Sequence, residues 1–228
     1  MAIDYTKRPA PTEAPMPAPV SLSKVTLTKS APGVSLTKSG SAGGILRVNL
    51  NWNARPAQEP ARGGFLKRLT ASPAPGIDLD LGCLYEYTDG STGVVQALGS
   101  SFRDTRRGDP ICWLDGDDRS GSNGGGENLY VNLEHVGEIR RLLVFAYIYT
   151  GVASWAACDA VVTLSPAAGP QVEVRLDEHD PRATMCGIAL LTNAGGELSV
   201  HREVRYVAGH RYLDEAYHWG MQWSAARK

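Results

Sequence analysis

No stretch of this 228-residue chain is apolar for long enough to cross a membrane as a helix. Its longest apolar run, LLVFAYIY (142–149), falls well short of the roughly 20 residues a span requires. Residues 1–20 lack the apolar core of a secretory signal. Together these absences read as a cytoplasmic protein. Cys83, Cys112, Cys158 and Cys186 include no C-x-x-C pair, and none has metal-knuckle spacing to another cysteine or to a histidine, so a zinc site is unsupported. Three of them sit in apolar contexts (GCLY, ICWL, MCGIALL), as buried thiols in a reducing compartment do. Helical periodicity is scarce and is convincing only near RYLDEAYHW (211–219). A net charge of −1 excludes a dedicated nucleic-acid binder, and no nucleic-acid partner is expected.

That near-neutral total hides an asymmetry. Residues 1–70 hold ten Lys/Arg against three acids, a net +7, and the remainder holds thirteen against twenty-one, a net −8. A basic front and an acidic body suit self-complementarity, as in a homo-oligomer, or a charged partner.

What the chain does have is glycine, proline and alternation. Residues 1–19 carry five prolines among Ala, Thr and charges, and they read as a disordered or polyproline-II leader. A single domain then runs over 20–228. VSLSKVTLTKSAPGVSLTK (20–38) alternates apolar and polar residues three times, and ILRVNLNW (45–52) does so again. Residues 54–76 break the pattern with proline, glycine and basic residues, and they read as an exposed basic loop with an apolar tip at FLKRL. IDLDLGCLYEY (77–87), VVQAL, RLLVFAYIY, AVVTL, VEVRL, CGIALLTN, LSVHREVRYV and WGMQWS supply further strands. Ten or more short strands with glycine-rich turns give an all-β protein, a single β-sandwich with one short C-terminal helix. Trp113, Trp155, Trp219 and Trp223 are expected to fill its core.

LDGDDRSGSNGGGENLYVNL (114–133) crowds Asp115, Asp117 and Asp118 into one loop with Asn123, Glu127 and Asn128. It is not an EF-hand: counted from Asp115, Arg119 and Ser120 stand where Asp/Asn and Gly belong, and Glu127 comes one place late. Nor is it a P-loop, since no Gly-Lys-Ser/Thr follows. Six oxygen-bearing side chains and free glycine carbonyls do suit Ca²⁺, which takes about six to eight oxygens. Asp78 and Asp80 in IDLDL, two apart on a strand, point to one side, with Ile77, Leu79 and Leu81 on the other. A cation cage is one reading of these carboxylates. A solvated hairpin beside an edge strand is the other.

SAPGVSLTK, ILRVNLNW, IDLDL and above all GDDRSGSNGGGEN resemble the TerD-like tellurite-resistance and stress-protein family, closer to its TerA-like branch. The resemblance covers most of residues 20–224. It implies a β-sandwich, a cytoplasmic location and Ca²⁺ between the Asp-x-Asp strand and the loop, with Asp78, Asp80, Asp117, Asp118 and Glu127 as ligands. Ser122, Gly124, Gly126, Glu127 and Asn128 occupy places where the TerD pattern is more acidic. At least three carboxylates are missing, so fewer or weaker sites than in TerD relatives are expected.

No nucleophile or acid–base set emerges, and His135, His179, His201, His210 and His218 stand isolated. LDEHD (176–180) reads as a surface turn. The chain is therefore expected to be a non-enzymatic, Ca²⁺-binding stress-response protein. Its metal-shaped surface would meet other tellurite-resistance proteins, with the membrane surface as one meeting place. Two rival readings are a metal-free interaction module and a Mg²⁺-dependent phosphoester hydrolase built on the aspartate cluster.

Overall fold

The computed structural model describes residues 24–40, 43–53, 76–104, 108–116, 125–151, 155–177, 180 and 182–225. The proline-rich leader, residues 54–75 of the basic segment, and Asp117 and Asp118 lie outside the described residues.

Twelve strands and two short α-helices are described, besides two 3-10 turns at Leu98–Ser100 and Leu133–Glu138: β1 Lys24–Thr26, β2 Gly33–Ser35, β3 Ile45–Asn51, β4 Asp78–Tyr87, β5 Thr92–Gln96, β6 Cys112–Leu114, β7 Glu127–Asn132, β8 Ile139–Thr150, β9 Ala160–Ser165, β10 Gln171–Leu176, β11 Met185–Ala194 and β12 Glu197–Val207, with α1 Trp155–Cys158 and α2 His210–Tyr217. They form two six-stranded sheets, β1-β10-β9-β3-β7-β6 and β2-β12-β11-β8-β4-β5. Every pairing is antiparallel except β1 on β10. The expected all-β sandwich is thus the observed fold.

Period-two patterning explains which sheet face each residue takes. In β3, Leu46, Val48 and Leu50 are buried between the sheets while Ile45, Arg47, Asn49 and Asn51 face out. β4 and β8 are buried on both faces. Leu79, Leu81, Cys83, Tyr85 and Tyr87 of β4 enter the inter-sheet core with Leu142, Val144 and Ala146 of β8. Leu84 of β4 and Leu143, Phe145 and Tyr147 of β8 join a second apolar cluster on the outer face of the same sheet. Leu213 of α2 and Trp219 cover that cluster. RLLVFAYIY is therefore apolar throughout because both of its faces are covered, as a central strand between β11 and β4 requires.

The C-terminal segment is fastened rather than paired. The N–H groups of Gly220 and Met221 and the Trp223 indole N–H all donate to the Asp214 carboxylate, at 2.7, 2.8 and 2.7 Å. Arg141 donates to Glu86 Oε2 (2.5 Å) and to the carbonyls of Tyr217 (2.9 Å) and His218 (3.1 Å), and its guanidinium lies 3.8 Å over the Trp219 ring. Trp219 Nε1–H donates to the Tyr85 carbonyl at 3.1 Å.

Two sequence expectations are corrected here. WGMQWS is not a strand; it packs as an irregular tail whose apolar residues meet the sheet's outer face. Of the four tryptophans assigned to the core, only Trp155 fills the space between the sheets. Trp219 and Trp223 belong to the outer cluster, and Trp113 stacks on Tyr130 on the exposed face of the other sheet.

Candidate metal centre

Asp78 and Asp80 share the outer face of β4, opposite Leu79 and Leu81, as their spacing predicts. They are not the solvent face of an edge strand, however: they are only 6% and 0% exposed. Glu127, at 3%, opens β7 in the other sheet and reaches across to the backbone of β4 beside them.

Register explains why the two sheets meet there. β5 pairs with β4 only from Gly82 onward, so the N–H of Leu81 on that edge has no strand to bond. Glu127 Oε2 accepts it at 2.6 Å. The preceding residue, Gly126, holds φ at +61°, and a Cβ there would come 2.1 Å from the Leu50 carbonyl oxygen. Only glycine fits that close approach, and it aims Glu127 inward.

Tyr147 stands opposite Asp80 in the β4–β8 register. Burial, then the charge of Asp80, then the charge of Glu127, hold its phenol well above the usual range. Both carboxylates therefore converge on Tyr147, which sequence reasoning missed. Its only local signal is a polar-tipped residue within an otherwise apolar strand.

The other expected donors divide. Asp115 is exposed and accepts from Asn128 Nδ2 (2.9 Å) and the Tyr130 hydroxyl (3.3 Å). Asn128 Oδ1 is taken by Arg47 (2.8 Å) and Asn49 (2.9 Å). Because β7 alternates, Asn128 faces away from Glu127, so Asp115 and Asn128 belong to the outer face and not to the cage. Asp117, Asp118 and Asn123 lie outside the described residues. Among the described residues no three His, Cys, Asp or Glu side chains close into a metal-sized cluster.

The donor set still fits a hard cation. Three carboxylates buried at one end of the sandwich each cost several kcal/mol in desolvation unless a counter-charge reaches them. All are oxygen donors, and none is a softer sulfur or imidazole ligand, as Ca²⁺ prefers. A separate buried carboxylate, Asp104, does different work: its Oδ2 accepts the N–H groups of Ile111 (2.7 Å) and Cys112 (2.8 Å), pinning the start of β6.

No family model matches the chain. Tellurium resistance protein TerA from Alcaligenes sp. is 43% identical over 230 residues, which covers 99% of this chain and 66% of that protein. The chain thus spans about two thirds of the length of this relative. Among solved structures, SAV2460, a protein of unknown function, superposes with a TM-score of 0.55 at 15% identity, over 79% of this chain and 99% of that one. A homologue of telluride resistance protein (TerD), SCO6318 from Streptomyces coelicolor A3(2), gives a TM-score of 0.49 at 20% identity, over 75% and 95%.

Proposed function

The chain belongs to the tellurium-resistance family represented by TerA, and from that premise we propose that it is a non-enzymatic stress-response protein whose acidic end binds Ca²⁺. The observation that supports this reading is that Asp78 and Asp80 of β4 and Glu127 of β7 are all buried, with Glu127 reaching across from its own sheet to the Leu81 amide next to Asp80. Asp117 and Asp118 would complete the ligand set from the loop. Bound Ca²⁺ would supply charge and a fixed coordination sphere. The protein's own part is to hold β4 and β7 in register and to shape the surface above them for partner proteins. No helix among the described residues is long and apolar enough to cross a membrane. The proposed partners are other tellurite-resistance proteins, met in the cytoplasm.

Calorimetry and thermal shift test the reading. Millimolar Ca²⁺ raises Tm and gives a binding isotherm, Mg²⁺ does neither at the same concentration, and Asp80→Asn abolishes both responses. Asp109→Asn, on an exposed bend, keeps them. A wild-type protein indifferent to Ca²⁺ favours the metal-free interaction module. Mg²⁺-dependent phosphoester turnover favours the hydrolase.

A further inference from the structure

The outer faces of the two sheets differ. α2 and the tail cover that of the β4–β8 sheet, and α1 turns Trp155 and Cys158 into the core between the sheets. The outer face of the other sheet carries a row of side chains set by register. Arg103 is bridged to Trp113, Trp113 pairs with Tyr130, Tyr130 with Arg47, and Arg47 with Ser165. Residues paired across neighbouring strands share a face, so these five stand in line. The two aromatic rings lie side by side, centroids 5.6 Å apart and planes 21° from parallel, and both are half-buried. An exposed arginine flanks them on either side. Arg47 is fastened next to Tyr130 by its Nε–H bond to Asn128 Oδ1 (2.8 Å), and the Tyr130 hydroxyl turns to Asp115 (3.3 Å).

The same row leads to the point where the chain enters this sheet. Lys24, the first residue of β1, pairs with Gln171 of β10. Gln171 lies one residue beyond the Val172–Leu164 pair, which sets it beside Ser165 and in line with Arg47.

We propose that the proline-rich segment 9–19 of this same chain docks along the row in extended polyproline-II form, with Pro15 and Pro17 against Trp113 and Tyr130 and Glu13 toward Arg103. Chemistry chooses this occupant. Aromatic surfaces take proline rings well, because a polyproline-II backbone is already extended and loses little entropy on binding. That backbone bonds nothing internally, so its carbonyls are acceptors for the Trp113 indole N–H and the guanidinium groups. Glu13 is the only charged residue of the segment, and its charge is opposite to that of the two arginines.

Reach agrees. Tyr130 and Trp113 lie four and five strands from β1, about 19 and 24 Å at ~4.8 Å per strand. At ~3.1 Å per residue, the stretch from Pro17 to Lys24 spans about 22 Å and that from Pro15 about 28 Å. The stretch from Glu13 spans about 34 Å, which passes β6 and meets Arg103. So short a tether also favours a segment of the same chain over one from a second copy.

The test places a nitroxide on Met16→Cys in the full, isotope-labelled chain and reads the broadening of nearby NMR signals. Cys83, Cys112, Cys158 and Cys186 are all buried, so the introduced thiol alone takes the label. The Arg47 and Tyr130 amides and the Trp113 indole signal should lose intensity several-fold, while the Trp219 indole on the other sheet keeps its own. Pro15→Gly/Pro17→Gly should restore the lost intensity, and so should Trp113→Ala, read at Arg47 and Tyr130. Glu13→Lys should restore part of it. If Trp113→Ala does not fold, the leader variants decide. Spin-labelled chain without isotope, mixed with isotope-labelled chain without nitroxide, should leave every signal sharp. Broadening in that mixture moves the leader onto a second copy and overturns docking within one chain. Broadening spread evenly over both sheets, or centred on the face that α2 covers, overturns the site. Broadening indifferent to the proline changes overturns the polyproline contact, and indifference to Glu13→Lys overturns the pairing with Arg103.

Discussion

Asp80 is fully buried, faces Tyr147 and shares its strand face with Asp78. Replacing it tests charge without changing volume. In the Ca²⁺-free protein, Asp80→Asn should be neutral or stabilising, because it removes the desolvation cost of a fully buried charge. In millimolar Ca²⁺ it should be destabilising relative to wild type. A crossover of the two melting curves with Ca²⁺ is the measurement. Gly126→Ala is expected to cost about 2–4 kcal/mol by urea titration, since it forces a positive φ on alanine and a clash with the Leu50 carbonyl. It should also weaken Ca²⁺ binding by turning Glu127 away. His210 provides the pH-sensitive residue: burial lowers its pKa from 6.5 to about 4. The fold keeps this imidazole neutral while the unfolded chain protonates near 6.5. Stability from this group is therefore intact above pH 6.5 and falls as pH drops toward 4, by on the order of 2 kcal/mol. His210→Gln should flatten that part of a Tm-versus-pH profile. That Asp78 and Asp80 share one face was legible because side-chain direction on a strand has period two. Glu127 stood out as one of six loop donors, but its bond to Leu81 was not legible, because it depends on where β5 stops pairing, which no local pattern carries. Asp115 and Asn128 were grouped with the cage because a loop's sequence does not say which of its donors turn outward.

Among the elements, β4 carries the most consequence, since it is buried on both faces and lends residues to the core, the acid cluster and the outer apolar cluster. Its run IDLDLGCLYEY reads as a strand from alternation alone. That both faces would be covered was not legible, because the cover comes from α2 and the tail more than a hundred residues later. The tail itself was misread as a strand. Its alternating apolar residues reflect packing on a sheet, and nothing in WGMQWS distinguishes that from pairing within one. The latch makes a sharp prediction. Asp214→Ala removes the acceptor for three donors and should cost about 2–3 kcal/mol. Limited proteolysis should then cut the chain near residues 219–223 while the sandwich remains intact. Arg141→Lys should share part of this loss, since an ammonium cannot hold Glu86 and two carbonyls while lying flat on an indole.

At the scale of the whole molecule, charge is split between a +7 front (1–70) and a −8 body. The two-sheet architecture was legible in the number and spacing of alternating segments, whereas the strand order was not, because neighbours such as β3 and β9 lie far apart in sequence. We propose that the basic segment 54–76 contacts an acidic partner or an anionic surface. Charge reversal at Lys67 and Arg68 should then weaken binding to anionic vesicles at low salt and leave binding to neutral vesicles unchanged. Equal binding after reversal would remove the proposal.

One hydrogen bond described above turns the acidic end into its own gauge. The Leu81 amide is held by a side chain of the opposite sheet, and its partner is one of the carboxylates proposed to hold the ion. Most amides of β4 exchange with solvent deuterium only when the sheet comes apart. This one is released as soon as Glu127 swings away. Its exchange rate should therefore report ion occupancy directly, slow with Ca²⁺ and fast without, while Val144 in the middle of β8 keeps a single slow rate in both states.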